Sequence, residues 1–171
     1  YLLGVVVNEM PEEFGEEALQ CQAIIARGYA LRAILKPNGW QYYGAHLEDS
    51  ELSQGYRLHA SESASGDWAV AYTGQGILFY GDQPAQTFFF STSGGFTAAA
   101  DVVWIPSPNG YGRRIEYLRS MAQGYGLPRQ NSEEAILDFY RRGDWQVPDL
   151  DSQWFRWQTS LTRSELTALI D

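Results

Sequence analysis

The sequence predicts an α+β fold, a single domain in which a buried central helix packs against antiparallel strands, and three features predict it. Residues 16–35 place apolar side chains at helical spacing through Leu19, Ala23, Ala26, Ala30 and Ala33. Tyr72–Tyr80 and Ala85–Phe90 flank Gly81-Asp82-Gln83-Pro84, a pattern of two strands around a tight connection. Two capping signatures, Asn131-Ser132-Glu133-Glu134 and Thr162-Arg163-Ser164-Glu165, announce later helices.

Taken in order, Tyr1–Met10 is open between strand and short helix. Three consecutive valines favour strand, whereas Leu2, Val5, Val6 and Glu9 share a helical face. Either way the element ends at Pro11, which lacks an N–H and crowds the residue before it, so Glu9 falls at an element end. A carboxylate beside Leu2, Leu3, Val5, Val6 and Val7 meets an apolar wall, and desolvation favours its protonated form, as a general acid requires. An exposed glutamate without a role is the alternative reading.

The acidic group Glu12, Glu13, Glu16 and Glu17 suits a helix N-terminus, where the macrodipole favours negative charge. Wound at about 100° per residue, the following helix shows a second apolar face through Cys21, Ile24, Ile25 and Leu35. Two narrow polar stripes lie between the faces: Glu16, Gln20 and Arg27, then Gln22, Tyr29 and Lys36. An unpaired buried guanidinium is costly, so Arg27 should meet a carboxylate or a carbonyl; holding two packed elements together would satisfy it equally well. The helix stops before Pro37-Asn38-Gly39. Residues 40–66 read as irregular with a helical turn or two.

Beyond the strand pair, Phe88, Phe89 and Phe90 should be buried on at least one side. Ser91-Thr92-Ser93-Gly94-Gly95-Phe96-Thr97 is a small-residue loop whose paired glycines permit positive φ and close backbone approach; a tight turn without function explains it too. Ala98–Trp104 should return to the core, and Pro106-Ser107-Pro108-Asn109-Gly110 should be a loop. A helix ending near Tyr140, a polar connection over 143–151, a short strand at Trp154–Gln158 and a final helix complete the chain.

The 171 residues amount to about one domain. A net charge of −9 argues against a basic patch for nucleic acid or anionic membrane. Six Trp, 11 Tyr and 8 Phe supply rings of the kind that stack on sugars, although most must serve the core. The single cysteine, Cys21, excludes an internal disulfide, and His46 and His59 lack metal-binding spacing, so no metal or other cofactor is expected. The sequence contains no signal peptide and no apolar run long enough to span a bilayer.

Several motifs in order resemble the SpoIID/LytB family: Tyr1-Leu2-x-Gly4-Val5-Val6, Glu9-Met10-Pro11, Glu17-Ala18-Leu19-x-x-Gln22-Ala23-x-x-Ala26-Arg27-x-Tyr29-Ala30-Leu31, and Ser91-x-Ser93-Gly94-Gly95-x-Thr97 with Val103-Trp104. Tyr117-Leu118-Arg119-Ser120 and residues 157–166 resemble it as well. Family members are bacterial cell-wall proteins that include a sporulation lytic transglycosylase and an amidase enhancer. The resemblance implies a lytic transglycosylase on peptidoglycan glycan strands, placed outside the cytoplasm in the cell envelope, with Glu9 as catalytic acid/base. It also implies Gln22, Arg27, Ser91, Ser93 and Thr97 as substrate-binding residues. The alternative it implies is a non-catalytic module that binds peptidoglycan or serves a cell-wall amidase as partner.

The chain departs from the family pattern at Gln20, where lysine is common, at Cys21 and Gly28, where alanine and threonine are usual, and at Ala98, where an acidic residue is common. The single domain 1–171 is expected to lack the family's C-terminal glycine-rich portion, which carries a His-Gly-Val-Gly-Met-Ser-Gln pattern. The zinc ligands of some relatives are absent as well.

Overall fold

A computed structural model describes residues 1–36, 39–50, 53–57, 63–104, 114–127, 129 and 132–170. The chain forms two compact units, Tyr1–Phe89 and Phe90–Asp171. The expected loop at 106–110 and His59 lie outside the described residues.

Helices dominate the first unit. Helix α1 spans Leu2–Glu9, a 3-10 turn covers Glu12–Phe14, and helix α2 spans Glu16–Leu35. A second 3-10 turn at Gly39–Tyr43 precedes helix α3, Ala64–Tyr72. Strands β1 (Phe79–Tyr80) and β2 (Gln83–Pro84) then pair antiparallel, Phe79 opposite Pro84 and Tyr80 opposite Gln83.

Burial decides for helix at residues 2–9 against the β-propensity of the valines. Val5 and Val6 are fully buried, and Val6 packs with Leu19, Ala23 and Ala69 in a core that joins α1, α2 and α3. Tertiary packing overrides local preference here, as it commonly does. Helices α1 and α3 approach so closely that a Cβ on Gly66 would lie 2.5 Å from Val7 Cγ1, which explains glycine inside α3. Ser63 caps α3 by accepting from the Gly66 N–H at 3.2 Å.

Helix α2 matches its expected span, but it packs chiefly on α1 and α3. Its Leu19, Gln22, Ala23 and Ala26 are buried, whereas of the second apolar face Ile24 and Ile25 are half-buried and Cys21 and Leu35 exposed. Strand β2 and the chain after it also meet α2: Arg32 donates to the Pro84 carbonyl at 2.5 Å and Thr87 to the Ile25 carbonyl at 3.2 Å.

The strand expectation needs correcting in extent. The hairpin exists, but its strands have two residues each; Tyr72 ends helix α3 instead, and Ala85–Phe90 is irregular chain. Ala69 buries fully against α1 and α2, so helical packing claims the segment. Phe88 and Phe89 are half-buried and Phe90 is exposed.

In the second unit, helices α4 (Ala100–Val103), α5 (Glu133–Arg141) and α6 (Arg163–Ile170) are set in irregular chain. Its core gathers Phe139, Trp145 and Phe155. Phe96 meets Phe139 edge-on at 5.1 Å, and the Trp145 indole N–H donates to the Phe139 carbonyl at 3.0 Å. The Arg156 guanidinium lies over Phe139 and Phe155, 4.7 and 4.1 Å from their ring centres.

Both capping signatures open helices, although Asn131 lies outside the described residues. Ser132 accepts from the Ala135 N–H at 3.2 Å, and Glu165 accepts from both the Thr162 N–H and its hydroxyl at 2.7 Å. Two expectations are corrected. Ala98–Trp104 is mainly exposed, with only Ala100 buried, and 154–158 is a turn and bend running into irregular chain instead of a strand, although Phe155 is buried.

Candidate active site

Glu9 is the last residue of α1, and Met10 leaves the helix in extended conformation with φ −128° before Pro11. The C-terminal end of a helix repels a carboxylate, because its last carbonyls are unpaired and carry negative partial charge. A compensating donor is present: the Gly55 N–H donates a short hydrogen bond to Glu9 Oε1. The same glycine accepts from Asn8 Nδ2 through its carbonyl at 2.9 Å. One residue therefore ties the last two residues of α1 in place.

The neighbours of Gly55 extend this strap. Gln54, 1% exposed, accepts the Tyr1 hydroxyl at 2.7 Å, and the Tyr56 ring stacks on Tyr1 with centres 5.9 Å apart. The Arg57 N–H closes it by donating to the Gly4 carbonyl at 3.1 Å. Burial pushes the Tyr1 hydroxyl above its ordinary phenol range, and Tyr29 and Glu9 nearby add to the shift. Tyr1 is therefore a neutral hydroxyl beside a half-buried carboxylate.

Helix α2 positions the other two candidates of this unit. Gln22 is completely buried, and neither atom of its side-chain amide finds a partner among the described residues. Arg27 meets carbonyls, one of the two partners its stripe required: it donates to Gly76 O at 2.7 Å, to Val70 O at 3.4 Å and to the Thr73 hydroxyl at 3.2 Å. Partial burial pulls its guanidinium below the ordinary value. These bonds fasten α2 to the end of α3 and the turn after it.

Ser91, Ser93 and Thr97 lie in the second unit. Ser91 is exposed. Gly94 and Gly95 both take positive φ, 63° and 103°, and a Cβ on Gly95 would sit 2.8 Å from the Phe139 ring, so the loop needs glycine there. Ser93 donates its hydroxyl to Asp149 Oδ2 at 2.8 Å and accepts from the Gly95 N–H at 3.1 Å. The Ser93 and Gly94 N–H groups also donate to that Asp149 oxygen. Thr97 accepts from the Met121 N–H at 2.8 Å and donates to the Arg119 carbonyl at 3.2 Å. Both hydroxyls serve the loop's own folding.

Sequence reasoning missed Tyr1, Gln54, Gly55 and Asp149 as supports. Gln54 and Gly55 fell in a stretch read as irregular, and no local spacing links them to Glu9. Asp149, in the polar connection, carried the faint signal of an Asx residue near a turn. Among the described residues no group of three or more His, Cys, Asp or Glu side chains is placed to hold a metal ion, and no helix is long and apolar enough to cross a membrane.

The family model SpoIID, Stage II sporulation protein, matches residues 1–80, which hold α1, α2, α3, β1 and the Gln54–Tyr56 strap. Stage II sporulation protein D of Bacillus subtilis (strain 168) is 33% identical over 135 residues, covering 71% of this chain and 37% of that protein. Its counterpart from Bacillus amyloliquefaciens is 32% identical over the same length. The amidase enhancer of Bacillus subtilis (strain 168) is 29% identical over 110 residues, 62% of this chain and 14% of that protein. The chain thus spans little more than a third of the length of the sporulation relatives. No solved structure matches.

Proposed function

Starting from a chain related to the SpoIID family through residues 1–80, we propose that the protein acts on the bacterial cell wall, outside the cytoplasm, as a lytic transglycosylase of peptidoglycan glycan strands. The observation that carries this reading is the Glu9 carboxylate, half-buried at a helix end and fixed by the Gly55 N–H. A general acid and base needs that fixity, since proton transfer requires the carboxyl within hydrogen-bond reach of the reacting oxygen.

In this reaction protonated Glu9 gives its proton to the oxygen bridging N-acetylmuramic acid and N-acetylglucosamine. The muramyl C1–O bond breaks and the glucosaminyl side leaves as an alcohol. The Glu9 carboxylate then takes the proton of the muramyl 6-hydroxyl while O6 bonds to C1, closing a 1,6-anhydro ring. The proton lost in the first step is regained in the second. Hydrolytic glycosidases use two carboxylates; with no water to activate, one is enough here. Gln22, fully buried, and Arg27, bonded to the end of α3, would act on the sugar only by holding α2, and Ser93 and Thr97 would shape the loop that leaves Ser91 exposed for sugar.

Glycan strands stripped of stem peptides, incubated with the protein, should yield anhydromuramyl ends detectable by mass spectrometry. Product from the wild type that vanishes in Glu9→Gln supports the proposal; no product from either defeats it.

The similarity to an amidase enhancer supports a second reading, a module that holds peptidoglycan or a cell-wall amidase without cutting glycan. Sedimentation with sacculi separates the two. Binding that is equal in wild type and Glu9→Gln, without anhydro products, favours the module.

A further inference from the structure

Residues 54–56 hold the site through three consecutive contacts. Gln54 accepts the Tyr1 hydroxyl, Gly55 donates its N–H to Glu9 and accepts from Asn8 through its carbonyl, and Tyr56 stacks on Tyr1. Gln54 is the pivot. It is 1% exposed and its amide nitrogen has no partner among the described residues, so the bond from Tyr1 is what satisfies its side chain. A buried amide stripped of that bond would be unpaired at both ends, a costly state relieved only by moving the segment. The next peptide along that segment is the one whose N–H fixes Glu9.

We propose that Tyr1 is a positioning residue for Glu9: its hydroxyl, bonded to buried Gln54, locks the strap so that the Gly55 N–H holds the carboxylate in one orientation. This rests on the lytic reading of Glu9 given above. The hydroxyl touches no reacting atom; it acts through Gln54 and Gly55. Because the Tyr1 proton is committed to Gln54, the hydroxyl is itself in one orientation, and the Tyr56 stack keeps the ring from swinging out.

Tyr1→Phe keeps the ring and its stack and removes only the hydroxyl. Gln54→Met keeps the length and removes the acceptor. Steady-state release of anhydromuramyl ends from stem-stripped glycan strands should show kcat lowered about tenfold in each, with KM within about twofold of wild type, as loss of orientation predicts. The double variant should fall no further than either single, because both substitutions cut one bond. Should Gln54→Met fail to fold, Tyr1→Phe decides alone.

An active wild type with Tyr1→Phe equal to it in kcat, whatever the change in melting temperature, overturns the inference and leaves the lytic reading standing. Additive losses in the double variant overturn it as well. An inactive wild type removes the lytic reading and this inference with it.

Discussion

Two side chains in the first unit carry consequences independent of activity. Gln22 is fully buried and its amide has no partner among the described residues, a desolvation cost without a hydrogen bond from them to offset it. Gln22→Leu should therefore leave stability unchanged or raise it by about 1 kcal/mol in a urea titration; a loss beyond about 1 kcal/mol would show the amide to be satisfied. Glu12 links the 3-10 turn to the start of α3 by accepting from the Ser63 and Ser65 hydroxyls. Those hydroxyls, Ser63 first, hold its carboxyl below the ordinary glutamate value. A depressed carboxylate contributes stability above its unfolded value, and that contribution is lost as pH falls through the folded one. The wild type should thus lose stability in acid more steeply than Glu12→Gln, and identical pH profiles of melting temperature would refute the link.

At the scale of elements, Asp149 decides whether the Ser93-Gly94-Gly95 loop is rigid. Its one oxygen accepts from two backbone N–H groups and a hydroxyl. Asp149→Ala should expose the Ser93 and Gly94 amides, read as faster hydrogen exchange at both, with α5 protection retained; unchanged exchange would show that the glycines alone fix the loop. Element legibility followed the same physics. Helix α2 and the starts of α5 and α6 were readable because their signals are local: apolar spacing, a cluster of acids at the N-terminus, and the capping signatures at 131–134 and 162–165. Helix α3 was not, because Gly66 lowers helix propensity and its reason, contact with Val7, comes from a distant helix. The valines of α1 mislead for the same reason, since what settles them is burial against α2 and α3.

Over the whole molecule, two cores organise the chain, one aliphatic and built by α1, α2 and α3, the other aromatic around Phe139, Trp145 and Phe155. Composition and length carry no mark of the division into two compact units near Phe90. Of the candidate site, the element end at Glu9 was legible because proline forces a stop at a fixed place, whereas its being a helix end was not. The strap that holds Glu9 was not: the link from Gly55 spans 46 positions and uses a backbone N–H, which every residue except proline offers. Arg27 was legible only as a guanidinium in need of a carbonyl or carboxylate, which the turn after α3 supplies.

The central claim, that Glu9 moves the protons of glycan cleavage, is tested most directly by comparing anhydromuramyl ends formed by wild type and Glu9→Gln from stem-stripped strands. Removing a general acid and base should lower the rate by about 100-fold or more while the variant keeps its helical signature and melting temperature. Equal product from the two proteins would contradict the account.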